Sequence, residues 1–558
     1  MTSNISRRQF TKASVFATLG YMISCTGKKH YDIIIKNGKI IDGTGSPALS
    51  NDIGILSDKI VAIGDLSTAA TETIIDARDM IISPGFIDIH THTDTELLVN
   101  PNAESKILQG VTTEISGNCG SSPFPLNEEG FASTDKFLSE KYGIHITWHD
   151  ISGFLHALEQ KSISFNYATF TGHGSLRSHI VGKNDVIPTP EQMDAMKLLL
   201  EESMEKGSFG LSTGLEYAPG SYASTEELIE LSKVVSRMNG VYATHMRNED
   251  DFVEEAIDEA LRICKEAEVS LQISHIKVCN QSNWHKIDSI LDKIQRASER
   301  KFPVKADRYP YIAYGTGLST FLPLSTRQGN KEEILARLQN RNELPEIKNY
   351  ALSRGARIGG WDRVVISSCE SDKNKSWEGK SIQECAKTTG KEPFEFIRTI
   401  LIDEEMRVSI VGFAMNEDNL RKVLTSPLVM IGSDGSAVAP YGKLAEGKPH
   451  PRYYGTFPRV LGKYCREEKW LDLPTAIKKM TSMSAEKLGL SKRGVIAKDY
   501  YADLTIFDPA TVIDKATFKE PHHPAQGIAY VLVNGKVTVK DGKHTGIHAG
   551  KILRHGIA

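Results

Sequence analysis

The feature that most constrains the fold is an alternation of apolar, strand-length runs with amphipathic helices through the middle of the chain. Four helices are indicated by apolar positions at a 3.6-residue period, beginning after Thr189-Pro190, at Ser224, at Asp251 and after Trp284. Strand-like segments follow them in turn, at residues 207–213, 241–245, 269–275 and 303–311. Repeated units of this length predict an α/β fold with a TIM-like (β/α)8 barrel over residues 83–489. A doubly wound open sheet is the alternative, although no GxGxxG follows the first strand.

Both ends of the chain show short strand patterns instead. They lie at residues 31–35, 39–41, 52–55 and 59–63, and again at 502–507 and 530–537. The simplest assembly is one small β-sandwich built from residues 31–82 and 490–558. Residues 321–405 break the barrel rhythm, are rich in charge and have helical propensity, so we predict an insertion before the last barrel strand that covers the barrel mouth.

Charge and cysteine content argue against a nucleic-acid-binding protein and against a fold held together by disulfides. The 558 residues carry 67 Lys and Arg against 70 Asp and Glu, with no long run of one sign, so a nucleic-acid partner is not expected. The seven cysteines are scattered singly without a CxxC pair. We therefore predict mostly buried thiols rather than a disulfide framework.

The first 30 residues indicate an export signal. Ser6 to Lys12 resembles a twin-arginine motif, and the uncharged stretch that follows it is too short to span a bilayer. Cys25 then stands where a lipoprotein would be acylated. We expect a periplasmic, lipid-anchored protein whose only membrane contact is this anchor. Simple export and a frayed helix with an incidental cysteine are the alternatives.

Histidines and an aspartate end several of the predicted barrel strands. His90 and His92 follow an apolar run that contains Pro84-Gly85, and their i, i+2 spacing places both imidazoles on one side of a strand. His245 and His275 each end a later strand, and Asp434 follows the last. Because the carboxyl ends of barrel strands meet at one face, we predict that these side chains converge on a metal site.

These residues resemble the amidohydrolase superfamily, and the resemblance covers the whole chain after the signal. Within that superfamily, six segments look like those of N-acyl-D-amino-acid deacylases, also called D-aminoacylases. The segments are residues 84–92, 117–120, 244–247, 274–277, 432–435 and 449–457.

The resemblance implies a zinc-dependent hydrolase. Zinc would be held tightly by Cys119, His245 and His275, and a weaker second site would use His90, His92 and Asp434. Many relatives with two metals bridge them with a carboxylated lysine from the fourth strand, but residues 210–215 contain no lysine. Cys119, at the end of the second barrel strand, can take that place and leaves one zinc position open for water.

The resemblance also implies the reaction, which is hydrolysis of N-acyl-D-amino acids to a carboxylate and a free D-amino acid. Asp434 would take the proton of the attacking water and pass it to the leaving amine. Arg452 offers a planar fork for the substrate carboxylate, with Lys277 as the second candidate. Hydrogen bonds near the scissile amide and a lining for the side-chain pocket are expected from Tyr217, Tyr309, Tyr311 and Met415, for which core packing is the alternative.

Other functions remain open at this stage. A cyclic-amide hydrolase of the hydantoinase or dihydroorotase kind would share the fold, but it is expected to keep the bridging lysine and to lack Pro449 to Arg452. An L-Xaa-D-Xaa dipeptidase would use the same site. A non-catalytic binding lipoprotein would have no need of Asp434 beside a full set of ligands.

Overall fold

The computed structural model describes residues 30–557, so the predicted twin-arginine motif and Cys25 lie outside the described residues. Six strands open this part of the chain: β1 (His30–Lys36), β2 (Lys39–Ile40), β3 (Asp52–Leu56), β4 (Lys59–Gly64), β5 (Ala70–Asp76) and β6 (Ile81–Pro84). Four of them form a sheet in the order β4-β3-β1-β5. The four N-terminal strands predicted from the sequence are confirmed to within a residue or two at their ends.

The central region supplies the barrel strands β7 (Phe86–Asp88), β8 (Val111–Ser116), β9 (Asn166–Thr169), β10 (Thr171–Gly172), β11 (Gly210–Gly214), β12 (Val241–His245), β13 (Ser270–Ile273) and β14 (Val304–Arg308). The helices between them are α1 (Glu96–Val99), α2 (Glu104–Ile107), α3 (Glu128–Tyr142), α4 (Ile151–Lys161), α5 (His173–Ile180), α6 (Pro190–Glu205), α7 (Thr225–Arg237), α8 (Val253–Ala267) and α9 (Ile287–Glu299).

The four helices predicted from periodicity are α6 to α9. Thr189 and Gln192 form a reciprocal capping box at the start of α6, which explains why the chain turns helical at Pro190. Ser224 accepts a hydrogen bond from the Glu227 amide at the start of α7. These caps satisfy amide groups that have no partner inside the helix.

The segment after β14 contains β15 (Tyr314–Gly317), β16 (Val364–Cys369), β17 (Val408–Gly412) and the last barrel strand, β18 (Val429–Ile431). Its helices are α10 (Leu324–Arg327), α11 (Lys331–Gln339), α12 (Leu344–Ile358), α13 (Ile382–Thr389), α14 (Pro393–Asp403) and α15 (Glu417–Thr425). The insertion was expected at residues 321–405 and was expected to be largely helical. It is longer than predicted, because its apolar core reaches from Tyr311 to Met415 and includes an antiparallel sheet in the order β15-β17-β16. Because Val408 and Ile410 alternate with the exposed Ser409, β17 has the period of a half-buried strand.

Backbone contacts close the barrel. The amide of Phe209 donates to the Thr169 carbonyl at 2.9 Å, and β18 pairs with β14 in parallel. The Asp434 amide donates to the His90 carbonyl at 2.8 Å, and a parallel bridge joins Thr91 to Gly435. If β9 and β10 are taken as one interrupted strand, eight parallel strands form a ring, so the predicted barrel is confirmed and the open sheet is excluded.

The C-terminal part contains α16 (Arg452–Arg459), α17 (Leu473–Met480), α18 (Ser482–Leu488), β19 (Leu504–Phe507), β20 (Ile528–Val533), β21 (Lys536–Lys540) and β22 (Lys543–His544). These strands join the N-terminal ones in a sheet ordered β2-β6-β19-β20-β21-β22. Ile35, Ile53, Ile82, Leu504 and Leu532 belong to one buried cluster shared by the two sheets. The chain ends therefore build one β-sandwich, as predicted.

Two details of the C-terminal region differ from the prediction. Residues 530–537 were expected to form one strand, but Asn534 and Gly535 adopt left-handed φ angles of 46° and 76° and make the turn between β20 and β21. The last residues leave the sandwich, because the amides of Gly550 and Leu553 donate to Ile163 and Tyr167 on the barrel.

The six cysteines within residues 30–557 are all free thiols, as expected from their spacing. Within the same residues, no helix is both long and apolar enough to cross a bilayer.

Candidate metal and substrate site

A cavity of about 1020 Å³ opens at the carboxyl ends of the barrel strands. Predicted ligands form its floor, namely His92, Cys119, His245, His275 and Asp434. Part of its wall comes from the insertion, including Thr320, Arg354, Ser368 and Val411. The insertion therefore shapes the barrel mouth.

The six predicted ligands converge. Cys119 Sγ lies 3.3 Å from His90 Nε2 and 3.4 Å from His275 Nε2. The Nδ1 atom of His245 is 2.9 Å from His275 Nε2. On the other side, Asp434 Oδ1 lies 3.0 Å from His92 Nε2 and 3.5 Å from His90 Nε2.

Cys119 occupies the middle of this cluster. One ligand atom each from His90, Cys119, His275 and Asp434 lies within 4.8 Å of the others. The sequence-based assignment gave Cys119 to the tight site alone. In the structure its sulfur contacts one histidine of each predicted site.

Three of the ligands have left-handed backbone conformations, which non-glycine residues rarely adopt. Their φ angles are 50° at Cys119, 35° at His275 and 51° at Asp434. Such conformations cost about 1–3 kcal/mol each and are found mainly where function requires them. All three residues lie two or three positions beyond the end of a barrel strand, where a sharp turn directs the side chain into the barrel mouth.

The electrostatics of the cluster favour a bound cation. Burial by itself would raise the pKa of the Cys119 thiol, but His90 and His275 hold it well below its usual range. Burial by itself would lower the pKa of His92, but Asp434 and Cys119 raise it to about 9. Burial would also lower the pKa of His245, but Glu249, Cys119 and Glu216 raise it to about 10. The surrounding negative charge thus stabilises positive charge at the position where the ligands meet.

Carboxylates fix the outer nitrogens of three histidines. Asp307 Oδ1 lies 3.1 Å from His90 Nδ1, Glu216 Oε2 lies 3.4 Å from His245 Nε2, and Glu249 Oε1 lies 3.1 Å from His275 Nδ1. At His90 and His245 an acceptor on the outer nitrogen leaves the inner one free as a metal ligand and sets the ring orientation. At His275 the outer nitrogen also lies 2.8 Å from the Lys277 ammonium, which can only donate.

Sequence reasoning did not find these three carboxylates. Asp307 is in the seventh barrel strand, Glu216 follows the fourth by two residues, and Glu249 follows His245 by four. Their positions within or shortly after barrel strands were the available signal.

The chemistry of the donors fits zinc. Imidazole nitrogen and thiolate sulfur are preferred zinc ligands, and one Cys with two His leaves a fourth position open. The lowered pKa of Cys119 supplies the thiolate that such a site requires.

Arg452 approaches this cluster from α16. Its Nη1 lies 2.8 Å from Asp434 Oδ2, an ion contact whose angle leaves Nη1 without a hydrogen bond. Nε also has no hydrogen-bond partner among residues 30–557, although the side chain is only 4% exposed. The guanidinium lies 4.7 Å from the centre of the Tyr309 ring, whose hydroxyl is likewise buried without a partner in the described structure. Unsatisfied buried donors at a cavity wall are available to a ligand.

Two more predicted substrate residues line the cavity. Lys277 Nζ lies 2.6 Å from Glu249 Oε1 and 2.8 Å from His275 Nδ1, so its charge is already paired. Tyr217 packs its ring 4.8 Å from that of His245 and shares a 3.2 Å hydrogen bond with Thr316 of β15.

Tyr311 and Met415 lie elsewhere, in the core of the insertion. The Tyr311 hydroxyl is 3.3 Å from Asp514, and the Met415 sulfur accepts a hydrogen bond from Arg308 at 3.0 Å. Neither lines the cavity as expected. β14 ends at Arg308, so Tyr311 lies beyond the strand. The two-residue alternation of a strand therefore does not direct its side chain into the barrel mouth.

Comparison with known proteins agrees with this geometry. A sequence profile of the amidohydrolase family matches residues 73–316 and 346–539. D-aminoacylase of Alcaligenes xylosoxydans xylosoxydans is 36% identical over 531 residues, which cover 95% of this chain and 99% of that protein.

Two solved structures are similar over nearly their whole length. One is D-aminoacylase with a binuclear metal centre, at a TM-score of 0.79 and 35% identity over 94% of this chain and 100% of that one. The other is N-acyl-D-glutamate deacylase from Bordetella bronchiseptica with zinc and a phosphonate inhibitor, a mimic of the tetrahedral intermediate. It has a TM-score of 0.79 and 32% identity over the same shares of the two chains.

The chain therefore belongs to the amidohydrolase family. Within that family it resembles D-aminoacylase and the N-acyl-D-amino-acid deacylases in sequence, fold and extent.

Proposed function

We propose that this protein is a zinc-dependent hydrolase that cleaves the amide bond of N-acyl-D-amino acids. The observation that carries the proposal is the pairing of Arg452 with Asp434 at the edge of the ligand cluster. Arg452 is a cation with unsatisfied hydrogen-bond donors, and it lies beside Asp434, a carboxylate that can accept and release a proton. The D configuration and the acyl group are inferred from the activities named for the similar proteins.

Each residue has a definite task in this reaction. Arg452 binds the substrate carboxylate through its free donors, and the Tyr309 hydroxyl donates to the carbonyl oxygen of the amide. Asp434 accepts the proton of the attacking water and delivers it to the amine, which must be protonated to leave. Cys119, His245 and His275 would hold the zinc ion, which when bound would supply Lewis acidity and lower the pKa of water to about 7.

The fourth strand argues against a cyclic-amide hydrolase with a bridging lysine. β11 contains no lysine, and Ser212 at its centre is hydrogen-bonded to the loop that carries Cys119. Its hydroxyl donates to the Gly117 carbonyl and accepts from the Gly120 amide, on both sides of Cys119. The strand that supplies the lysine in other members here supports the cysteine.

The proposal is tested on the purified full-length protein. Metal analysis is expected to find zinc, and N-acetyl-D-amino acids are expected to be hydrolysed while their L enantiomers are not. Turnover of hydantoins or dihydroorotate without turnover of any linear N-acyl-D-amino acid would contradict it.

We further propose that the protein is exported by its twin-arginine-like segment and anchored in the periplasm by lipid on Cys25. Ser6 to Lys12 and the uncharged stretch before Cys25 support this location. Labelled fatty acid is expected to be incorporated into the wild-type protein, and Cys25→Ala is expected to release it from membranes. A wild-type protein that takes up no lipid label would overturn the anchor.

A further inference from the structure

We propose that the enzyme accepts N-acyl-D-amino acids with uncharged side chains and rejects D-aspartate and D-glutamate derivatives. This inference rests on the proposed function and concerns the side-chain class of its substrate. Every such substrate brings one carboxylate on its α carbon, and an acidic side chain brings a second. The question is whether the cavity holds a cation that is free to receive the second carboxylate.

Six Lys and Arg side chains line the cavity, and each already has a carboxylate partner. Lys277 lies 2.6 Å from Glu249, and Arg354 lies 2.9 Å from Glu216 and 3.3 Å from Asp250. The pairs nearer the mouth are Lys141 with Glu370, Lys183 with Glu129, and Lys443 with Glu446. The sixth cation is Arg452, which has unsatisfied donors but is assigned to the α-carboxylate.

The balance of charge points the same way. Nine Asp and Glu side chains line the cavity against these six cations. Negative charge stays in excess even when the two positive charges of one bound zinc ion are added, so a second substrate carboxylate would enter a cavity with an excess of its own sign. Like charges placed close together repel, which weakens binding of the substrate that brings the second carboxylate.

A basic side chain finds no free partner among the deepest carboxylates. The deep carboxylates Glu216, Glu249 and Asp250 are held by Arg354 and Lys277. Glu96, which also lines the cavity, has its pKa raised to about 7 by burial and by the nearby Asp94, so only about half of it is ionised at neutral pH. The cavity thus offers a large volume whose deep carboxylates are already paired with cations, which suits an uncharged side chain.

The test compares kcat/KM of the zinc-loaded enzyme for N-acetyl-D-leucine, N-acetyl-D-aspartate and N-acetyl-D-glutamate. The leucine derivative is expected to be preferred by roughly 100-fold or more, as like-charge repulsion implies. Equal or faster turnover of either acidic substrate would overturn the inference and leave the proposed function intact. A zinc-loaded enzyme that hydrolyses none of the three would instead contradict the proposed function.

A variant tests the stated cause. Asp250→Asn removes one carboxylate from Arg354, so the ratio of N-acetyl-D-glutamate to N-acetyl-D-leucine turnover is expected to rise by about 10-fold. Glu266→Gln removes a charge from the outer surface of α8 and is expected to leave the ratio unchanged. A ratio that does not move in Asp250→Asn would show that charge pairing in the cavity does not set the specificity.

Discussion

Glu216 connects the insertion to His245, one of the proposed metal ligands. Its Oε2 lies 3.4 Å from Nε2 of His245, whose Nδ1 faces the ligand cluster. Its Oε1 lies 2.9 Å from the guanidinium of Arg354, a residue of α12. The Glu216 carboxylate therefore contacts both the imidazole of His245 and Arg354 in the cavity wall.

Replacing this carboxylate is expected to weaken zinc binding. Glu216→Gln keeps the shape of the side chain but loses the charge that orients His245, and loss of such a partner typically costs 10- to 100-fold in metal affinity. Competition with a chromophoric chelator measures the zinc Kd, and Glu266→Gln is the matched control. An unchanged Kd in Glu216→Gln would show that His245 is oriented by its neighbours in the core.

Cys119→Ala is expected to lose both zinc and activity. The substitution removes the thiolate that lies between His90 and His275, so the cluster loses its one sulfur donor. Metal content after gel filtration checks this, with Cys465→Ala as a control because Cys465 lies outside the cavity lining. A zinc-replete and active Cys119→Ala protein would refute the ligand assignment.

Arg452→Met is expected to lower kcat/KM for N-acetyl-D-leucine by roughly 30- to 4,000-fold, which corresponds to the about 2–5 kcal/mol lost when a buried charge pair is broken. Zinc content is expected to stay the same. The loss should shrink sharply for the matching amide substrate, which has no carboxylate. If acid and amide suffer equally, Arg452 acts by holding Asp434, and Lys277 becomes the next residue to test.

Two lysines beneath the barrel predict a dependence of stability on pH. Burial lowers the pKa of Lys479 and of Lys487 to about 7, although both donate to backbone carbonyls. In the unfolded chain the pKa of lysine is about 10.4. Between about pH 7 and 10 the unfolded chain therefore binds more protons than the folded protein. Stability is therefore expected to rise with pH across this window.

Lys487→Met isolates this effect, because the variant lacks one of the two titrating groups. Melting temperatures at a fixed scan rate are compared between pH 7 and 9.5. The difference, wild type minus variant, is expected to grow as pH rises. A constant difference would show that Lys487 is charged in the folded protein throughout.

The sequence predicted those parts of the site that follow from strand position. His90 and His92 could be located because a two-residue spacing on an apolar strand has one geometric outcome. Glu216 and Asp307 could not, because their roles depend on which neighbouring strand lies beside them in the ring. Tyr311 shows the same limit, since its direction is decided by the turn after β14 and by its contact with Asp514, some 200 residues later in the sequence.

The β-sandwich has a kinetic consequence. β6 pairs with β19, so residues 81–84 find their partner only when residues 504–507 are available. Closing a loop of this length is entropically costly, and contacts so distant in sequence slow the completion of folding. During synthesis the edge of β6 stays open until nearly the whole chain has left the ribosome. We therefore expect C-terminal truncations that remove β19 to leave an exposed strand edge and to aggregate rather than to yield a free barrel.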